Sequence, residues 1–344
     1  MLTLVAALGC TTEQETRPDV ADRTGSDSSG QRTPGGSGAE PTSTPAGTSS
    51  ATTGATPSSP PTTSPTATKT TTTPQRPTRF SSAAVLHSVR HLAGRIGPRE
   101  ATTQSFDQAA SWAETRLRRL GYVVQGQRFR VPAGVSWGEP VPAGPTRNVV
   151  ATTPGTSLRE PHVLVGAHLD TVPQAPGAED NASGVAVLLE LARLAEEQPT
   201  RVPVVFVLFS AEEPRGDGDD MHHFGSRAYV ARMSPSQRVH LTAMVSLDRV
   251  GTGSVVPLCT GGVSPPRVRR QLAAAGDQVR VPTTECSDNQ SSDHWSFEKA
   301  GLAAARVGST PYAEYHSEQD VPGVVGRPQL DQVGRLMWKW LTTR

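Results

Sequence analysis

VLVGAHLDTVPQAPGAEDNASGVAVLLELARLAEEQPTRVPVVFVLFSAEEPRG, residues 163–216, decides the fold. Val163 to Gly166 and Val204 to Phe209 are short apolar runs rich in branched residues, the composition of strands covered on both faces in a mostly parallel sheet. Between them, Asn181 to Glu197 is apolar at Val185, Leu188, Leu189 and Ala192 and also at Val187, Leu191 and Leu194. That pattern predicts a helix packed on more than one side.

The same alternation continues outward in both directions. Ala243 to Leu247 reads as a third strand, and Gln329 to Leu341 closes the chain as an amphipathic helix. Upstream, Ser105 followed by Gln108 has the form of a capping box, opening a helix that carries Ala109, Trp112, Ala113, Leu117 and Leu120 until Gly121 stops it. No internal repeat is visible. The expected class is α/β, a mostly parallel mixed central sheet with helices on both faces.

Composition changes before residue 80. From Gly25 to Arg79 all but eight residues are Thr, Ser, Pro, Gly or Ala, and every Phe, Tyr and Trp lies from Phe80 onward. Such a segment has almost nothing to bury against the entropy of ordering it, so residues 11–79 are expected to form a disordered stalk ahead of one folded domain, residues 80–344. Residues 1–10, MLTLVAALGC, resemble the lipobox of a bacterial lipoprotein, with Cys10 as the lipidated residue, although no basic residue precedes the run. A frayed apolar N-terminus is the plain alternative. The lipoprotein reading places the protein outside the cell, on the outer face of the cytoplasmic membrane or secreted.

Thirty-three basic and 32 acidic residues leave a formal charge of +1, which argues against nucleic acid as a partner. The arginines are scattered, and no apolar run approaches the roughly 18–20 residues of a spanning helix. Membrane contact is expected only through the N-terminal lipid. Cys259 and Cys286 could pair in an oxidising compartment, and spacing alone leaves that open. Oligomeric state is open too.

Chemistry gathers just after the strands, where open α/β sheets place their sites. AHLDTV gives His168, which can offer one imidazole nitrogen to a metal while Asp170 holds the other. Asp180 in GAEDNASG is either a helix N-cap or a ligand. In FSAEEPRG, Glu212 and Glu213 point apart on an extended segment, so one can bind metal while the other faces water. Asp248 emerges from the third apolar run in SLDRVG, and PYAEYHSEQD offers Tyr315 and His316. Taken singly, each is as well explained by a turn, a cap or an acidic surface. Together, His168, Asp180, Glu213, Asp248 and His316 would satisfy two divalent ions sharing one carboxylate.

This ordered set resembles the family-28 metallopeptidases, the two-zinc aminopeptidases, and the likeness runs from about Val85 to the last helix. IGPRE at residues 96–100, LRRLGY, FGSRAYV at 224–230 and SDHWSF at 292–297 match the family's supporting segments. The resemblance implies the zinc-dependent exopeptidase fold, two zinc ions (Zn2+) and a peptide substrate. It also implies roles by position. His168 and Asp248 would hold one zinc, Glu213 and His316 the other, and Asp180 would bridge them. Glu212 would be the general base that activates a metal-bridging water, Asp170 the partner of His168, and Tyr315 a donor to the developing oxyanion. One departure is the segment PRGDGDDMHHF, residues 214–224, longer than in many relatives. It is either a solvated polar loop or, through its acids, His222 and His223, a cation site or pocket wall.

The function expected is therefore an exported aminopeptidase. A glutaminyl cyclase of the same fold, which uses one metal, and a noncatalytic surface binding module are the alternatives.

Overall fold

Side chains along the central strands alternate between two apolar layers, which is what a sheet covered on both faces requires. The computed structural model describes residues 79–263 and 265–344, so the segment with Cys10 and the expected stalk lie outside the described residues. The strands are β1 (Val123–Val131), β2 (Gly134–Ser136), β3 (Glu139–Val141), β4 (Gly144–Thr152), β5 (His162–His168), β6 (Val204–Phe209), β7 (Leu241–Asp248), β8 (Val256–Cys259), β9 (Thr283–Cys286) and β10 (Ala304–Gly308). The helices are α1 (Ser82–Val89), α2 (Gln104–Arg119), α3 (Gly184–Glu197), α4 (Phe224–Arg232), α5 (Pro235–His240), α6 (Arg267–Gln278), α7 (His294–Lys299) and α8 (Arg327–Thr342).

Eight strands form one sheet in the order β1-β4-β6-β5-β7-β10-β8-β9, and β2 and β3 make a separate hairpin. The neighbours β6, β5, β7 and β10 are parallel, whereas β1 and β4 at one side and β8 against β10 at the other run antiparallel. The mostly parallel α/β sheet read from the sequence is the one observed. Val163, Val165 and Ala167 of β5 join α2, α3 and α8 in the larger core, while Leu164 joins Tyr229 of α4 and Phe297 of α7 on the opposite face. Cys259 and Cys286 are register partners on β8 and β9 and are joined as a disulfide.

Two helix starts differ from the sequence reading. The N-cap of α2 is Thr103, whose hydroxyl accepts the Phe106 N–H at 3.2 Å, so Ser105 lies inside the first turn. Helix α3 begins at Gly184 rather than Asn181, because Asp180 and Asn181 have non-helical backbones. Asn181 Oδ1 accepts the Gly184 N–H at 3.0 Å and so does the capping. A Cβ on Gly184 would stand 2.4 Å from that oxygen and from Leu247 O, which is why a glycine opens this helix. Asp180 is left free of the capping role. Among the described residues no helix is long and apolar enough to cross a membrane.

Candidate metal centre

His168 ends β5, Glu212 and Glu213 follow β6, and Asp248 ends β7. Parallel register brings these carboxyl ends to one edge, with His168 opposite Phe209 and Asp248 opposite Gly308. Asp180 comes from the turn ahead of α3, and His316 from the segment after β10. All six side chains are buried.

Their polar atoms converge. His168 Nε2 is 3.0 Å from Asp180 Oδ1, 3.6 Å from Asp248 Oδ1 and 3.9 Å from Glu212 Oε2. His316 Nε2 is 3.2 Å from the other Asp180 oxygen and 3.3 Å from Glu213 Oε2. Asp180 thus faces one imidazole with each oxygen. Ligand atoms of His168, Glu212 and Asp248 lie within 4.8 Å of one another, as do those of His168, Asp180 and Glu213. Asp180 Oδ1, Glu213 Oε1, Asp248 Oδ1 and both ring nitrogens of His316 are buried without a hydrogen-bond partner. Buried polar atoms normally have partners, so acceptors aimed together with none form a donor set suited to hard or borderline divalent cations.

Electrostatics agrees with that reading. Against the cost of burial, Glu212, Asp180 and Asp248 hold the His168 imidazole well above its usual range, and Glu213 with Asp180 pushes His316 up to about 10. Burial, with Glu213, Asp248 and Asp180 adding and His168 opposing, pushes Glu212 up to about 8. The carboxylates draw positive charge, and a cation bound here would displace the two imidazole protons. Asp248, despite burial, is held down to about 2, chiefly by the Arg306 guanidinium 3.2 Å away.

Asp170 stands beside His168 and holds a second set of partners as well. His168 Nδ1 lies 3.2 Å from the Asp170 backbone carbonyl and 3.9 Å from its carboxylate. That carboxylate also accepts the N–H groups of Glu212 and Glu213, both at 3.2 Å, and so fixes the acidic pair after its strand. The Tyr315 ring stacks on His316 at 3.6 Å, and burial raises its hydroxyl pKa, keeping it a donor.

Several supporting residues escape a reading of motifs. Arg306, inside β10, pairs with Asp248 and is anchored through Nη1 to Ser291 O at 3.0 Å. Asp320 accepts the N–H groups of Glu179 and Asp180 at 2.8 and 3.1 Å and the Tyr312 hydroxyl at 3.0 Å, clamping the His316 segment to the Asp180 turn. Its signal was visible, an acid four residues beyond His316 in the same polar run. Arg99, in the IGPRE segment, donates to the carbonyls of Leu169, Pro176 and Gly177 at 2.7, 2.6 and 3.0 Å, holding the chain between His168 and Asp180.

The rim comes from irregular chain. Trp137, at the tip of the β2–β3 hairpin, takes a positive φ of 49° and sets its ring edge-on to His316 at 4.3 Å and to Tyr315 at 5.8 Å. Residues 214–224 are tied down at several points, although Asp217 to Asp220 lie exposed to solvent. Asp219 accepts Trp295 Nε1 at 2.8 Å and pairs with Lys299, and His223 is buried with Nε2 3.3 Å from Glu212 Oε1. Arg215, next but one to Glu213, joins Glu100 and the carbonyls of Pro132 and Pro142, so one guanidinium links the acidic turn to both ends of the hairpin. A Cβ on Gly134 would sit 1.7 Å from Arg215 O, so only glycine lets the hairpin approach this closely.

Comparison with known proteins agrees with this architecture. The model of a family described as Peptidase family M28 matches residues 148–341. Aminopeptidase YwaD of Bacillus subtilis is 28% identical over 203 residues, 56% of this chain and 43% of that protein, so the chain spans less than half of that relative's length. The structure of BSAP, a zinc aminopeptidase from Bacillus subtilis, superposes with a TM-score of 0.68 at 19% identity, covering 77% of this chain and 95% of that one. A Bacteroides thetaiotaomicron glutaminyl cyclase superposes with 0.65 at 20% identity, covering 78% and 99%. At these identities the superpositions establish the fold.

Proposed function

The chain belongs to peptidase family M28, and from that premise we propose that it is a two-zinc aminopeptidase removing N-terminal residues from peptides outside the cell. The observation that carries this reading is the shared carboxylate, Asp180, with one oxygen toward His168 and the other toward His316. His168 and Asp248 would hold one zinc and Glu213 and His316 the other, with Asp180 common to both. Zinc bound there would polarise the scissile carbonyl and make water a nucleophile at neutral pH.

The remaining work falls to side chains. Glu212, whose proton affinity is raised by burial, takes a proton from the attacking water and passes it to the leaving amine as the C–N bond breaks. Asp170 holds Glu212 and Glu213 through their backbone amides, so the base keeps its aim while it changes charge. Tyr315 donates its hydroxyl proton as a hydrogen bond to the carbonyl oxygen as negative charge grows there. The buried His223 stands beside Glu212, its Nε2 3.3 Å from Glu212 Oε1.

The test is metal analysis of purified protein beside assays with aminoacyl p-nitroanilides and an N-terminal glutamine peptide. About two zincs per chain, loss of hydrolysis on chelation and recovery with zinc are expected. One metal with release of a cyclised N-terminus would transfer the reading to a glutaminyl cyclase, and full activity after exhaustive chelation would end it. Anchoring through Cys10 is tested separately: Cys10→Ser should move the native protein from the detergent phase to the aqueous one, and an unmodified Cys10 in native membranes would remove that part of the proposal.

A further inference from the structure

Among the described residues four arginines are buried: Arg99, Arg215, Arg249 and Arg306. Three have their charge answered, Arg99 by a ring of carbonyls, Arg215 by Glu100, and Arg306 by Asp248. Arg249 differs. It is 8% exposed, and among the described residues it has no carboxylate within ion-pair distance. Its side chain makes one hydrogen bond, from Nη2 to Ser309 Oγ at 3.2 Å, and its Nε is buried with none. Against the cost of burial, Tyr315, Asp180 and Asp248 hold its charge through space, yet of the five donors a guanidinium offers the side chain fills one.

Its position gives the missing partner a source. Arg249 directly follows Asp248, and its left-handed backbone, φ 54°, is held by an N–H donated to Asn181 Oδ1 at 3.3 Å. That turn lays the guanidinium 4.4 Å over the face of Tyr315, whose ring stacks on His316. The charge therefore stands against the Tyr315–His316 stack, one residue along the chain from Asp248.

Building on the aminopeptidase reading, we infer that Arg249 recognises a carboxylate of the substrate, carried by the side chain of an acidic N-terminal residue or by the free C-terminus of a dipeptide. Either would accept two parallel hydrogen bonds from the guanidinium, and Tyr315 would back the charge from its far face.

Two substrate pairs separate the sources. Glutamyl against methionyl p-nitroanilide tests the side chain, and Leu-Gly against Leu-Gly-amide tests the terminus. The full chain loaded with zinc should favour the carboxylate-bearing member of one pair about 10- to 100-fold in kcat/KM, mostly through KM, the range of a hydrogen-bonded charge. Arg249→Met should abolish that preference, and Arg249→Glu should reverse it toward a lysyl p-nitroanilide or a C-terminal amide, with zinc content retained in both. No preference in either pair from the unaltered enzyme overturns the inference without any variant, as does a preference that survives Arg249→Met. If none of the four substrates is cleaved, the aminopeptidase reading itself fails, and this one with it.

Discussion

The floor of the candidate metal centre and its rim are built from different kinds of chain. The floor comes from the ends of β5, β6 and β7, whose positions are set by ladder register, and its side chains are aimed by buried partners such as Asp170 and Arg306. The rim comes from a two-strand hairpin, the 214–224 loop and the segment around Tyr315, and aromatic faces and a few hydrogen bonds hold it. The difference teaches where each property resides. On the aminopeptidase reading, chemistry belongs where the sheet fixes geometry, and selectivity where loops vary without disturbing the sheet.

Removing Glu212, the proposed proton acceptor of the floor, should give the largest effect. Glu212→Gln should lower kcat by about 10²- to 10⁴-fold, the range general bases contribute, while metal content measured by atomic emission stays at the parent value. Turnover equal to the parent would mean that the floor does not carry the chemistry. The comparison sharpens at Arg215, which belongs to both layers. Arg215→Leu leaves Glu100 buried without its cation, so unfolding in urea should show a loss of about 3–5 kcal/mol, with KM rising as the hairpin loosens. A loss below about 1 kcal/mol, no more than a typical surface ion pair contributes, would show the hairpin standing without it. At the rim proper the effect should be smallest. Trp137→Ala removes one aromatic wall and should raise KM about threefold to tenfold, with kcat falling much less, as expected for a single ring contact. A drop in kcat as large as that of Glu212→Gln would erase the distinction between the layers.

The same division governs what was legible in the sequence. Strands β5, β6 and β7 were readable because unbroken apolar runs mark strands buried on both faces, and the acids and His168 were readable because they stand where those runs stop. Asp180 was ambiguous because an acid before an apolar helix usually caps it. Only the non-helical turn at residues 180 and 181, with Asn181 as the cap, separates the two roles. Arg306 was invisible as an ion-pair partner because AARVG reads as an ordinary short strand, and its mate is far away in sequence. Trp137 was missed for a different reason. Trp-Gly is not a common two-residue hairpin turn, and the close approach that fixes it depends on Gly134 meeting Arg215 across the fold. Periodicity reports what a segment buries, but not which distant segment it will meet.

The sheet order also sets a timetable. Strand β10 inserts between β7 and β8, although β8 and β9 precede it in the chain. Until residue 308 has emerged from the ribosome, the disulfide-bearing pair has no place in the sheet, and until residue 320 has emerged the Asp180 turn lacks its clamp. A growing chain can therefore carry every strand of the floor and still have no pocket. Assembly of the metal centre thus waits on residues 304–320, whatever strands form before them.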